Sequence, residues 1–170
     1  MALGHDYAQQ NCSLARALEL VGERWTLLII RDAFFGVRRF NDFQEHLDIS
    51  KAVLTQRLSK LVANGLLTRQ PVGGRDEYVP TEILTDLWPA LYALTAWGEK
   101  YAPAPLGRRR FFTHTECGER LSETGWCTRC GRIPLPEATV MHPGPGTAAT
   151  ATSEISVALR APRRLLEPLR

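Results

Sequence analysis

The chain has 170 residues, 44% of them hydrophobic and 23% charged, with a formal net charge of +3. That composition is ordinary for a globular domain and excludes wholesale disorder. The longest apolar run, Leu27-Leu28-Ile29-Ile30, ends at Arg31 and Asp32, far short of the roughly 18 residues that span a bilayer, so no membrane partner is expected.

Four cysteines are too few for a disulfide scaffold, and the N-terminus shows no basic region followed by an apolar block. Both features predict a reduced, cytoplasmic setting. Residues 1–101 carry 11 Lys and Arg against 12 Asp and Glu, whereas residues 102–170 carry 10 against 6. The first segment is therefore no polycation, and nucleic-acid binding there requires a local face.

The elements follow in order. Asn11 is a candidate N-cap, with Leu14, Leu18 and Val21 on one face of a first helix ending near Gly22. Trp25 to Phe35 predicts a second helix, apolar nearly all round and closed by Gly36, hence the central core helix. Arg39 to His46 forms a short third helix. Ser50 caps a fourth that runs to about Asn64, where Gly65 stops it. Leu66–Arg69 and Glu77–Val79 read as two short strands around the turn-rich stretch 71–75. Thr81 caps a last long helix over 82–100, which Pro89 kinks or breaks.

A short helix, a turn, a longer helix and a hairpin make a winged helix-turn-helix. The fold class is mainly α with a small β-wing, followed by a small Cys/His segment that is zinc-ribbon-like. At 100° per residue, Leu54, Leu58 and Leu61 fall within about 60° of one another and lock the fourth helix to the core. The opposite face presents Ala52, Gln56 and Ser59, flanked by Thr55 and Lys60, with no carboxylate. Amides, hydroxyls and methyls suit base edges in a major groove. Ser50 and Lys51 at the helix N-terminus suit a phosphate. Arg75, beside two glycines at the hairpin tip, suits the neighbouring minor groove. The candidate DNA-binding residues are thus Ser50, Lys51, Thr55, Gln56, Ser59, Lys60 and Arg75.

The run from Asn11 to Leu47, the LTQRLSKL helix and the Asn64-Gly65-Leu66 turn resemble the HxlR-type bacterial transcriptional regulators, relatives of the MarR group. The resemblance covers residues 10–101. It implies a homodimer, joined through the N-terminal segment and last helix, whose recognition helices enter successive major grooves of a double-stranded operator. A repressor responsive to a small-molecule effector or an electrophile follows from that likeness. It also implies a role for Cys12, since thiol sensors of this type carry a cysteine at the matching place. Arg16 one turn along could stabilise a thiolate there, while the competing reading makes Cys12 an apolar interface residue. After the wing the family pattern carries a glycine, where this chain has Pro80-Thr81-Glu82-Ile83-Leu84.

Trp88, Leu91, Tyr92, Trp97 and Tyr101 give the last helix more apolar surface than a small winged domain buries. A second protomer or a folded-back C-terminal segment could cover it.

Beyond residue 101 the reading has two parts: a linker and Cys/His segment over 102–142, then a flexible stretch with a short docking helix over 143–170. Within the first, His114-x-x-Cys117-Gly118 and Cys127-x-x-Cys130-Gly131 form two matched half-sites, with nine residues between Cys117 and Cys127. One imidazole and three thiolates complete a tetrahedral set for a structural Zn²⁺, with no open position for catalysis. Ordinary turns or a redox dithiol are the competing readings.

No Gly-rich phosphate loop or nucleophile elbow is present, so no enzyme is expected. Asp42 and Glu45 read as solvated helix charges, and His5, His46 and His142 as surface or capping residues. The alternative function is a zinc-binding interaction module whose winged helix contacts a protein.

Overall fold

A computed structural model describes Tyr7 and residues 9–147 and 152–169. His5 lies outside the described residues, as do positions 148–151 of the low-complexity stretch. Four helices come first: α1 (Ser13–Val21), α2 (Thr26–Phe34), α3 (Phe40–Leu47) and α4 (Lys51–Ala63). The antiparallel pair β1 (Leu67–Val72) and β2 (Arg75–Pro80) forms the wing. Two helices follow, α5 (Glu82–Thr85) and α6 (Trp88–Tyr101).

The boundaries follow local chemistry. Cys12, rather than Asn11, occupies the N-cap of α1. The hydroxyl of Ser50 accepts from the Val53 N–H at the start of α4, and that of Thr81 accepts from the Leu84 N–H at the start of α5. The predicted helix over 82–100 is two helices. Its break precedes Pro89, which sits in the first turn of α6, where its missing N–H costs no hydrogen bond.

The core is built around α2. Ile29, Ile30, Ala33 and Phe34 are fully buried, together with Phe43 of α3 and Leu54, Leu58 and Leu61 of α4. Each such leucine contributes about 1.5–3 kcal/mol relative to exposure.

Asp32 lies fully buried in this core. Asp32 accepts from Arg31 Nε and Nη2 at 2.9 and 2.7 Å, and its other oxygen lies 2.6 Å from His46 Nδ1 on α3. His46 is therefore no solitary surface residue: it pins α3 to α2. His142 stacks on Phe111 at 4.8 Å. Asp42 is buried rather than solvated, in the first turn of α3 where the helix dipole favours a carboxylate, whereas Glu45 is exposed.

Residues beyond 101 form a second layer continuous with the first. Strands β3 (Arg110–His114), β4 (Thr139–Pro143) and β5 (Arg163–Arg164) make one antiparallel sheet in that order. A 3-10 turn (Pro136–Ala138) leads into β4 and a short helix, α7 (Glu154–Ala158), precedes β5. The expected boundary at 142 therefore falls inside β4. The docking helix is a single short turn of chain, because Pro162 prevents its extension and the chain turns into a strand. Ile155, Leu159 and Leu165 are buried in the common core.

This layer covers part of the apolar α6 surface. Phe112 meets Trp88 edge to ring at 5.4 Å and Tyr92 at a tilt at 5.3 Å, and the Tyr92 hydroxyl donates to the Ser122 carbonyl at 2.7 Å. Trp97 and Tyr101 remain 61% and 63% exposed.

The C-terminus straps the end of α2. The Leu166 and Leu169 N–H groups donate to the carbonyls of Phe34 and Gly36, and buried Arg38 donates to the Leu166 carbonyl at 2.7 Å. Gly36 has φ +90, and a Cβ there would stand 1.9 Å from the Glu167 carbonyl oxygen, so only glycine fits.

Burial raises the Asp32 pKa, but Arg31 and His46 outweigh it and hold the carboxyl below its ordinary value. A depressed folded pKa adds stability that is full above about pH 4 and is lost as pH falls through the folded value. Asp32→Ala is expected to cost about 3–5 kcal/mol in urea unfolding at pH 7. The gap to wild type is expected to narrow below about pH 4.

Candidate nucleic-acid interface and Cys/His centre

Burial of the leucine stripe fixes what α4 shows to solvent. Leu54, Leu58 and Leu61 are at most 1% exposed, while Lys51, Ala52, Thr55, Gln56 and Ser59 are all exposed. That outward face carries amide, hydroxyl and methyl groups and no carboxylate. Ser50 is exposed as well, with its hydroxyl engaged as the cap.

Lys60 differs from expectation. Its ammonium lies 2.7 Å from Glu23 Oε1, and Arg57 pairs with the other oxygen of the same carboxylate. Both side chains reach back across the helix because Glu23 sits in the α1–α2 connection. Sequence spacing pointed to Lys60 but could not reveal this distant partner.

The wing turns at Gly73-Gly74, whose φ values of +56 and +78 make a two-residue turn open to few other residues. Arg75 follows directly and is exposed. The hairpin is held to the core by the Tyr78 N–H, which donates to the Arg38 carbonyl at 2.8 Å, and by Arg39 Nε, 3.3 Å from buried Glu77. A cleft of about 680 Å³ separates the wing from the start of α3 and is lined by Arg39, Asn41, Arg69 and Arg75, among others. Of these only Arg75 was singled out in the sequence; the others become visible once β1 and α3 face each other. Arg69 is paired with Asp76 across the hairpin.

The Cys/His cluster assembles as its spacing predicted. Ligand atoms of His114, Cys117, Cys127 and Cys130 all lie within 4.8 Å of one another. His114 ends β3 with its ring fully buried: Nδ1 lies 3.5 Å from Cys117 Sγ, and Nε2 has no hydrogen-bond partner. The Sγ atoms of Cys117 and Cys127 are 3.5 Å apart. Gly118 and Gly131 both have positive φ, and their N–H groups close the two turns onto the His114 and Cys127 carbonyls. Burial opposes the Cys127 thiolate, but hydrogen bonds from the Cys130 backbone, Cys117 and His114 bring the thiol down to about 7. Its neighbour Cys130 is pushed up to about 11 by the adjoining thiols and by burial. This group can hold a metal ion.

Cys12 lies apart from the cluster and is exposed. Backbone N–H groups of Ala15 and Leu14 at the α1 N-terminus lower its thiol pKa.

An α4 seated on leucines, preceded by α3 and followed by a two-stranded wing, defines a winged helix-turn-helix regulator of transcription. Residues 20–105 match the family described as HxlR-like helix-turn-helix, and the chain belongs to that family. An uncharacterized HTH-type transcriptional regulator of Mycobacterium tuberculosis is 44% identical over 144 residues, 83% of this chain and 91% of its own length. The HTH-type regulator YdeP of Bacillus subtilis is 30% identical over 106 residues, 58% of this chain and 83% of its own. A crystal structure described as a transcription factor superposes with a TM-score of 0.62 and 32% identity. That match covers 85% of this chain and 94% of the other, so it runs past the family segment into the second layer. Among the described residues no helix is long and apolar enough to cross a membrane.

Exposure orders the thiols. With limiting iodoacetamide at about pH 7.5, Cys12 is expected to be alkylated at least about tenfold faster than buried Cys127, as read by peptide mass spectrometry.

Proposed function

We propose that the protein is a homodimeric, sequence-specific repressor that reads its operator with α4 and the wing, and that a small molecule or electrophile relieves its hold. The carrying observation is the outward face of α4, where Ala52, Thr55, Gln56 and Ser59 stand exposed without a carboxylate among them. Gln56 can bond an adenine edge through two hydrogen bonds, and Thr55 and Ser59 can reach bases or phosphates. Ser50 and Lys51 receive a phosphate at the helix N-terminus. Arg75 enters the minor groove. Lys60 joins the phosphate contacts by exchanging Glu23 for DNA. Protein and DNA meet in the cytoplasm in this reading.

Dimerisation is supported by apolar side chains left exposed on α1 and α6: Leu14 and Leu20, and Leu94, Trp97 and Tyr101. Exposed apolar area of that kind calls for a partner. Cys12 at the head of α1 is the electrophile-responsive thiol.

Zinc is the metal that best fits the Cys/His cluster. Three soft thiolates and one imidazole form a closed tetrahedral donor set, and sulfur–sulfur spacing near 3.5 Å suits Zn–S bonds of about 2.3 Å. His114, Cys117, Cys127 and Cys130 would hold it. The ion would supply cohesion to the loop between β3 and β4, whose exposed Trp126, Ile133 and Leu135 bury little.

Gln56→Ala is expected to cost about 1–3 kcal/mol on the selected operator and to relax base preference at one position. Arg75→Ala is expected to weaken binding more evenly across sequences and to lower the salt slope by about one. Fluorescence anisotropy at several salt concentrations reads both; unchanged affinity in both variants overturns the docking model. Elemental analysis of protein purified without added metal is expected to give about one zinc per chain, falling below about 0.2 in Cys127→Ala.

A further inference from the structure

A second cleft lies away from the winged face, between the helical core and the C-terminal layer. It has a volume of about 280 Å³ and is bordered by Arg31 of α2 and Phe35 just after it, His46 of α3, Arg110 of β3, and Ser156 and Arg160 from the α7 region. A smaller cavity of about 120 Å³ shares Arg31, Phe35, Arg109 and Arg110 with it and continues to Trp88, Leu91 and Phe112. One end of the composite site is thus rich in guanidinium groups. The other is walled by aromatic and aliphatic side chains that are otherwise buried.

The charges at the polar end are unevenly matched. Asp32 engages Arg31, and Glu99 lies 3.4 Å from Arg109. Arg110 has no carboxylate partner among the described residues. Its Nη1 donates to the Leu159 carbonyl at 2.8 Å and lies 3.0 Å from Met141 Sδ, and the guanidinium sits over the Phe35 ring at 5.2 Å. Burial, and then the neighbouring Arg31, push its pKa down to about 10 against the opposing pull of Asp32, which is itself engaged by Arg31 and His46, so Arg110 stays charged at neutral pH with no carboxylate bonded to it. A partly buried guanidinium in that position attracts an anion, and its planar fork matches a carboxylate in two hydrogen bonds.

We infer that this cleft is a binding site for a small organic carboxylate with an aromatic or compact apolar body, its acid group on Arg110 and Arg109 and its body against Phe35, Trp88 and Phe112. An apolar pocket with a few convergent polar groups is the usual form of a small-ligand site, and the volume suits a ligand of one or two rings. The inference deepens the effector reading above by giving the effector a place and a chemical class. It also offers a physical link to the helix-turn-helix. Arg31, which borders the site, reaches His46 of α3 through the single carboxylate of Asp32. A carboxylate drawing on Arg31 loosens one side of that bridge.

The test uses the full chain without DNA, so its failure is separate from any failure of operator binding. Isothermal titration with 1-naphthoate is expected to show saturable one-to-one binding. The uncharged 1-naphthamide and the Arg110→Gln variant are each expected to bind at least about tenfold more weakly, the loss of one charge-assisted pair. Thr95→Trp fills the apolar end from an exposed position on α6 and is expected to abolish binding, which keeps the test decisive if Arg110→Gln does not fold. Absence of saturation up to about 5 mM, equal affinity for acid and amide, or inorganic phosphate binding as tightly as 1-naphthoate each overturns the inference.

Discussion

The contact on which the winged face depends is the burial of three leucines. Leu54, Leu58 and Leu61 enter the core beside Ile29, Ile30 and Phe43, and their burial fixes both the rotation and the depth of α4. Rotate the helix by one residue and about 100° of its circumference changes place, bringing carbon side chains to solvent and Gln56 toward the core. An apolar stripe that is nondirectional in energy thus becomes directional in effect, because only one face can satisfy it. The wing follows from the same core: β1 begins at buried Leu67, and Tyr78 of β2 is tied to the Arg38 carbonyl.

Around that stripe the protein spends polar groups on position. Asp32 is inside the core only because Arg31 and His46 meet both its oxygens, and the result joins α2 to α3 at a defined angle. Arg38 does the same between the end of α2 and the C-terminal strap, donating to the carbonyls of Ala33 and Leu166. Buried charges of this type add little net stability over an apolar core, but removing one partner leaves the other buried and uncompensated.

The first four helices, the wing and the four-residue Cys/His cluster were legible in the sequence because each rests on local rules. Leucine spacing marks a buried face, Gly73-Gly74 marks a tight turn, and two ligand pairs followed by glycine mark two knuckles. What stayed hidden was tertiary. Nothing near Lys60 announces Glu23, 37 residues away. His46 looked solitary until α2 placed Asp32 against it. Of the two covers open to α6, the C-terminal layer packs on Trp88 and Tyr92, while Trp97 and Tyr101 stay exposed. The strand at Arg163 and Arg164 was unreadable, since two residues carry no periodicity and only the edge of β4 makes them a strand.

The strap at Gly36 has a consequence for how the protein is made. Arg38 and Leu166 are separated by 128 positions in the chain, so the contacts that close over the end of α2 come from residues made long after it. Domains usually complete themselves as they emerge from the ribosome, N-terminal parts first. In that order the first helices leave the exit tunnel with Gly36 still uncovered, and they wait for residues 166–169 to follow. Helices and strap therefore mature together, and a chain lacking residues 166–169 has a central helix without its lid.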